Sequence, residues 1–305
     1  MKEPIAIAIP VYNREKKVMA TLDSVAAQTF RPLRLILVDN NSSDNTHAAL
    51  RKWKAEHESP DFRIDVIQEL KPGACAARNA ALRIIDSPWT MFFDSDDTMP
   101  PDHVEVALAA ASENPDTDII AWARLLHLPG GRKVVRGFTL KSPKFSNLTQ
   151  TIFATPNYMA RTELFRRVGG WDETVAVGQD LELGSRLLCV NPKIFVRKGH
   201  FVDIYDSATS ITNSTPDRMS ALKHTLDKVR LTFPENKRHL VDLQFLARAA
   251  TWGKSDPKAH DLAKETLEAQ PWHRRWLFGL LYRYALRGGR GVAKIYALLH
   301  LNKMP

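Results

Sequence analysis

Short apolar runs rich in β-branched residues alternate with helical patterns along the first part of the chain. Ile5–Ile9, Leu35–Val38, Ile64–Ile67 and Trp89–Phe93 read as buried strands. Between them, Lys17–Ala27, Thr46–Lys54 and Ala74–Ile85 carry helical spacing. Strands separated by helices join through right-handed crossovers into a mostly parallel sheet, so the predicted class is α/β. The rhythm then changes. A helix opens at Pro100-Pro101-Asp102 and runs through Ala111, Ile119–Leu126 reads as a strand, and Pro129-Gly130-Gly131 turns the chain back into Val134-Val135 as a hairpin. Helices near Thr162–Val168 and Leu181–Leu188, a strand at Ile194–Val196 and a Ser/Thr-rich loop from Ser207 to Thr215 follow. From Pro216 the pattern is helical to the end, broken near Phe233-Pro234, Ser255–Pro257, Pro271 and Gly288-Gly289. One boundary near residue 215 is predicted, dividing 1–215 from 216–305.

Composition narrows the class. The 305 residues are 44% hydrophobic and 25% charged, the proportions of a folded globular chain, which excludes disorder, collagen and disulfide scaffolds. Cys75 and Cys189 form no CxxC spacing, and a reducing, cytoplasmic location is expected. The run Ile5–Ile9 is cut by Pro10 before signal-peptide length, and no apolar stretch reaches the roughly 18 residues of a membrane span, so a soluble or peripheral protein is expected. Lys and Arg number 43 against 34 Asp and Glu, a net +9; seven of those cations fall in 271–305 with no acid, which leaves +2 for the other 270 residues. Charge gathered in one tail indicates a local partner surface, and no nucleic-acid partner is expected.

Chemistry concentrates where the predicted strands end. An open α/β sheet binds ligands at its carboxyl edge. The first strand ends Pro10-Val11-Tyr12-Asn13, where Tyr12 either stacks on a base or caps the core. The second ends Asp39-Asn40-Asn41-Ser42-Ser43-Asp44; Asp39 either accepts from a base N–H or forms an Asx turn, and Ser43 or Asp44 can cap the next helix. Gly73 opens a helix whose backbone can approach a ligand closely, with Arg78 one turn in, ready for phosphate or carboxylate. Neither a GxGxxG fingerprint nor a Walker loop is present, which weakens a dehydrogenase or P-loop reading.

The strongest signal is Asp94-Ser95-Asp96-Asp97, directly after a buried strand. Three carboxylates in four residues repel one another unless a cation neutralises them, and hard divalent metals take few protein carboxylates when phosphates fill the remaining positions. Further on, Gly169-Gly170-Trp171-Asp172-Glu173 precedes Gly178-Gln179-Asp180, where an acid at a helix start stays ionised and is a candidate general base, plain capping being the competing reading.

In this order the segments resemble the family-2 inverting glycosyltransferases of GT-A fold, over about residues 4 to 212. The resemblance implies a Rossmann-like sheet with helices on both faces, a nucleotide-sugar half at 1–97 and an acceptor half at 98–215. It implies a nucleotide site made of Pro10, Tyr12, Asn13, Asp39, Asn41, Gly73, Arg78, Asp94 and Asp96, Mn²⁺ or Mg²⁺ on Asp97 with Asp96, and Asp180 as the base. Two positions depart from the family pattern. Gln179 replaces the usual Glu before the base. Tyr205-Asp206-Ser207-Ala208 replaces Tyr-Arg-x-His and leaves a third metal or phosphate ligand unsupported, His200 nearby being a structural or a donor-contacting residue.

The implied reaction is metal-assisted transfer of a hexose from a nucleotide diphosphate sugar, a UDP-sugar above others, to a hydroxyl of a saccharide or lipid-linked saccharide. Trp122, Asn157, Tyr158, Trp171 and Gln179 are assigned to the acceptor side, because aromatic faces pack on sugar C–H surfaces; core packing competes, for Trp122 above all. In the tail, Leu277, Leu280, Leu281 and Tyr284 share a predicted face with Arg275, Arg283 and Arg287 opposite. That helix either lies on an anionic membrane or packs on the catalytic domain. The rival classes are a sugar nucleotidyltransferase and a non-catalytic protein binding membrane or nucleic acid.

Overall fold

A computed structural model describes residues 4–205, 215–252, 256, 258–292 and 295. It falls into two compact units. The first is Met1–Pro143 with Ile152–Thr174 and Arg186–Ser207, and the second is Lys144–Thr151 with Val175–Ser185 and Ala208–Pro305. The expected single cut near 215 is therefore replaced by units that interleave, since two short segments before that point cluster with the helical carboxyl-terminal region.

The first unit is built on one eight-stranded sheet in the order β3-β2-β1-β4-β7-β5-β6, with β8 paired to β5. β1 (Ile5–Val11), β2 (Leu33–Asp39), β3 (Phe62–Gln68) and β4 (Trp89–Phe92) run parallel. Both faces of β1 and β2 are buried, as a strand covered by helices on two sides requires. Alternate positions Ile5, Ile7, Ile9, Leu33, Leu35 and Leu37 join one core with side chains of α1 (Met19–Ala26), α2 (Thr46–His57) and α4 (His103–Glu113). The alanine-rich α3 (Ala74–Ile84) lies against β1 and β2.

The rest of the sheet is mixed. β5 (Ile119–His127) and β6 (Lys133–Arg136) form the expected hairpin. Between β4 and β5 lies β7 (Tyr158–Arg161), antiparallel to both and too short to show a period in sequence. β8 (Ile194–Tyr205) runs well past the predicted Val196. Its pairing with β5 jumps from Ala121–Val196 to Ala123–Phe201, so the polar Arg197-Lys198-Gly199-His200 occupies an irregularity in the ladder, which hides the strand from a pattern search. The side chain of His200 lies outside the described residues.

The second unit holds α5 (Pro143–Gln150), which the sequence pattern does not reveal, and the first turns of α7 (Gln179–Cys189). With them are α8 (Arg218–Leu231), α9 (His239–Trp252), α10 (Lys258–Glu268) and α11 (Trp272–Leu286), broken at the predicted prolines. Its core is Leu148, Leu181, Leu222, Leu226, Leu243, Leu246, Phe278 and Leu281 with their neighbours. Residues 206–214 of the Ser/Thr-rich loop, and the tail beyond Val292 apart from Ile295, lie outside the described residues. Among the described residues no helix is long and apolar enough to cross a membrane.

Candidate active site

The loops that leave β1, β2 and β3 are tied to one another by short polar side chains. Asn13 (φ 49°) and Asn41 (φ 56°) take the left-handed conformation that asparagine tolerates. The Asn13 N–H donates to Ser42 Oγ at 3.0 Å, and Asn13 Oδ1 accepts from the Ser43 N–H at 2.9 Å, which joins the first two loops. Asn40, buried, joins the second to the third. Its amide donates to the carbonyls of Glu69 and Lys71, and its Oδ1 accepts from the Gly73 N–H at 2.7 Å. Gly73 has φ 122° and ψ 136°, open only to glycine, so α3 can begin at this point. The cap position of α2 is Asn45, not the expected Ser43 or Asp44; Asp44, one residue earlier, still accepts from the Thr46 N–H at 3.0 Å.

Tyr12 stands at the carboxyl edge with 58% of its surface exposed, so the core-cap alternative fails and its ring is available for stacking. Pro10 is the last but one residue of β1, half-buried against Val38. Asp39 is fully buried. Its Oδ1 accepts from the Ser42 N–H and its Oδ2 from the Gln68 amide, both at 3.2 Å, with His47 Nδ1 at 3.6 Å. The turn-forming reading of Asp39 is thus realised, and the Gln68 side chain covers the carboxylate.

The acidic loop follows β4 and is closed by β8. Thr98 and Asp203 exchange backbone hydrogen bonds, and the Tyr205 N–H donates to Asp97 Oδ1 at 3.0 Å. His127 stacks on Tyr205 and its Nε2 lies 2.6 Å from Asp203 Oδ1. Tyr205 therefore reaches the acidic loop through its backbone, while Asp206, Ser207 and Ala208 lie outside the described residues. Asp97 is almost wholly buried. Burial first, then the neighbouring charges of Asp94 and Asp96, push its carboxyl well above the ordinary carboxylate range, and the same two kinds of cause raise Asp96.

Among the described residues no group of three His, Cys, Asp or Glu side chains could hold a metal ion unaided. The donor set nonetheless fits Mg²⁺ or Mn²⁺: Asp97 and Asp96 offer hard oxygens, burial and mutual repulsion oppose their ionisation until a cation is beside them, and such ions take most of their remaining ligands from phosphate and water.

Two cations missed in the sequence stand beside the acids. Arg14 Nη2 lies 3.8 Å from Asp96 Oδ2, and Lys17 also acts on that carboxyl. Both follow Tyr12 in the same loop, and that adjacency to the aromatic was the signal available. Of the two partners expected for Arg78, phosphate or carboxylate, the structure shows the carboxylate. Arg78 is buried, with Nη2 2.7 Å from Asp94 Oδ1 and its guanidinium 4.5 Å from the centre of the Trp171 ring. It holds Asp94.

Asn79, next to Arg78, grips the Gly-Gly-Trp-Asp-Glu segment. Its Oδ1 accepts from the Trp171 N–H at 2.8 Å, and its amide donates to the Trp171 carbonyl at 2.9 Å and to Glu173 Oε1 at 2.7 Å. Hydrogen bonds from Asn79 and from Lys71 lower the Glu173 carboxyl below its ordinary value. Gly169 and Gly170, with φ of 81° and 70°, end α6 (Thr162–Arg167) and lead into this grip. A Cβ on Gly170 would stand 2.6 Å from Asn79 Oδ1. Gly170→Ala should therefore lower unfolding stability by about 2 kcal/mol or more, from strained φ and the displaced amide together, read as a fall in the urea midpoint.

The four large residues assigned to the acceptor side are corrected by their burial. Trp122 is fully buried, donates Nε1–H to the Pro156 carbonyl and meets His103 edge to face. Asn157 bonds Arg124 and the Ile152 carbonyl; Tyr158 packs on Phe153; Trp171 lies under Arg78 and against Phe92. All four are buried side chains: Asn157 is held by its hydrogen bonds, and an aromatic that suits a sugar suits an apolar interior equally well.

In the second unit, Gln179 and Asp180 are half-buried at the start of α7, and the Gln179 amide donates to the Ala176 carbonyl at 3.3 Å. Their helix is fixed from two sides. Asn147 of α5 donates to the Leu181 carbonyl, and Thr225 of α8 donates to the Val177 carbonyl. Gly178 (φ 76°) rests on the same Thr225, whose methyl carbon a Cβ would meet at 3.3 Å. Asp180 and Glu182 supply negative charge to the first turn of the helix, the sign its dipole favours there.

Comparison with known proteins gives the family and the fold. The model of the family described as glycosyl transferase family 2 matches residues 6–167. An uncharacterized glycosyltransferase of Haemophilus influenzae is 27% identical over 194 residues, 60% of this chain and 62% of that protein. The UDP-Glc:alpha-D-GlcNAc-diphosphoundecaprenol beta-1,3-glucosyltransferase WfgD of Escherichia coli is 32% identical over 111 residues, 36% of this chain and 42% of that protein. The matches thus span less than two thirds of these relatives. Residues 1–349 of S. aureus TarS in complex with UDP-GlcNAc superpose with a TM-score of 0.68 at 19% identity, covering 98% of this chain and 92% of that one, which establishes the GT-A fold. With its sheet-edge acids and more than half its length inside the family model, the chain belongs to the family-2 glycosyltransferases.

Proposed function

We propose that the chain is an inverting, metal-assisted hexosyltransferase that uses a UDP-sugar and a saccharide or lipid-linked saccharide acceptor. One observation carries the reading: the buried and half-buried acids Asp97, Asp96 and Asp94 gather on one loop at the carboxyl edge of the sheet whose first strand presents the exposed Tyr12 ring. The undecaprenol-linked acceptor named for the Escherichia coli relative supports the lipid-linked choice, and the UDP-GlcNAc bound in the Staphylococcus aureus structure supports the donor class.

In this reading Tyr12 stacks on the base, and Asp39 accepts the base N–H when the Gln68 amide turns away. Arg14 and Lys17 receive the diphosphate, with Asn13, Asn41 and Gly73 shaping the loops around it. Asp97 and Asp96 would hold the divalent ion. Bound there, such an ion supplies Lewis-acid neutralisation of the charge that develops on the leaving diphosphate. Arg78 fixes Asp94 and so keeps the acidic loop in place. Asp180 takes the proton of the acceptor hydroxyl as that oxygen bonds to the anomeric carbon. The bond from that carbon to the diphosphate oxygen breaks on the opposite face, its electron pair leaves with UDP, and the anomeric configuration inverts.

The test is incubation of the chain with UDP-hexoses and an undecaprenyl diphosphate-linked monosaccharide. The expected result is acceptor-dependent UDP release with a product of inverted anomeric configuration by NMR. Product of retained configuration, or no turnover of any nucleoside diphosphate sugar with this or a free saccharide acceptor, would overturn the reading.

A further inference from the structure

α11 has two apolar faces, and the protein's interior uses one of them. Phe278, Leu281, Tyr282 and Ala285 enter the core of the second unit. The faces differ from those predicted, since Leu281 turns inward while Leu280 and Tyr284 turn outward. On the outer side Trp272, Trp276, Leu280 and Tyr284 recur every fourth residue and form a stripe along the helix, with Trp272 82% and Trp276 67% exposed. A helix already anchored by one face ordinarily shows water a polar surface. Here the outward stripe carries two indoles and a phenol.

The charges on the same side identify the occupant. Arg283 and Arg287 fall between the aromatic positions, are exposed, and have no ion-pair partner among the described residues. From Pro271 onward the chain contains no acid at all. A second copy presenting the same face would set arginine against arginine, which opposes self-association. An anionic bilayer satisfies both features at once, because tryptophan and tyrosine are favoured at the depth of the lipid headgroups and each arginine gains from the negative surface.

We propose that the outer face of α11 docks on an anionic membrane surface through Trp272, Trp276, Leu280 and Tyr284, with Arg283 and Arg287 on lipid phosphates. The docking holds whether or not the transfer reading does, and its test uses no donor or acceptor sugar. The full chain is sedimented with vesicles of phosphatidylcholine alone and of phosphatidylcholine mixed equally with phosphatidylglycerol, beside Trp272→Ser/Trp276→Ser and Arg283→Gln/Arg287→Gln. Circular dichroism and oligomeric state are measured on each.

The chain should be retained by the anionic vesicles and not by the neutral ones. The tryptophan pair should lower partitioning at least about tenfold, and the arginine pair about fivefold for each charge removed. Both variants keep the wild-type helical spectrum, because the substituted side chains are exposed. Three results would overturn the proposal: equal retention on both vesicle types, unchanged partitioning of the tryptophan variant, or a wild-type dimer that the tryptophan substitutions dissociate, which would assign the face to a second copy.

Discussion

Asp180→Asn should lower the turnover of the bound donor about 10²–10⁴-fold, the usual worth of a positioned general base, and leave UDP affinity at the wild-type level. The substitution is isosteric, so the start of α7 keeps its anchors on Asn147 and Thr225. In the proposed mechanism it removes a proton acceptor used only as the acceptor oxygen attacks. Such a loss falls on kcat and kcat/KM alike, with KM for the donor hardly changed. A residue that merely opens the helix would behave differently, because asparagine caps about as well as aspartate and turnover would persist. Transfer near the wild-type rate in Asp180→Asn would sink the assignment.

The second large effect separates stability from function at one carboxylate. Burial, with Asp94 and Asp96 close by, raises the Asp97 carboxyl well above its ordinary value. A group raised on folding contributes its stability below the ordinary carboxylate value near 3.9 and loses it as the pH climbs through the raised value. In chelator, as the pH rises toward 8, Asp97 therefore becomes a cost to the folded state. Asp97→Asn, which can still accept the Tyr205 N–H, should unfold about 1–2 kcal/mol later than wild type at that pH. The gap should close toward pH 4, and the same variant should lose metal-dependent nucleotide binding. Equal urea midpoints for the two proteins at pH 8 would mean that Asp97 carries no electrostatic load.

The parallel half of the fold was legible because its strands are buried on both faces and its helices are amphipathic, so each run announces itself. The acidic loop was legible for a related reason: three carboxylates after an apolar strand have few structural uses. Burial of single side chains was not legible. Arg78, Trp122, Tyr158 and Trp171 carry the same letters whether they line a site or fill a core, and packing from distant segments decides between the two. Nor could the sequence show that Asn40 fastens two loops, or that Arg14 turns toward Asp96, since both depend on contacts made across the sheet edge. β7 stayed hidden because four residues between a 3₁₀ turn and a helix display no period. The family match adds what composition left open, the family to which the chain belongs.

The central claim is that the sheet-edge acids and Tyr12 form a metal-dependent donor site. Calorimetric titration of UDP into the chain, with Mn²⁺ and with chelator, beside Asp97→Ala and Tyr12→Ala, tests it most directly. The account predicts binding that requires Mn²⁺, is lost in Asp97→Ala, and weakens about tenfold in Tyr12→Ala, one stacking contact's worth. UDP binding of equal strength in chelator, or unchanged in Asp97→Ala, would contradict it.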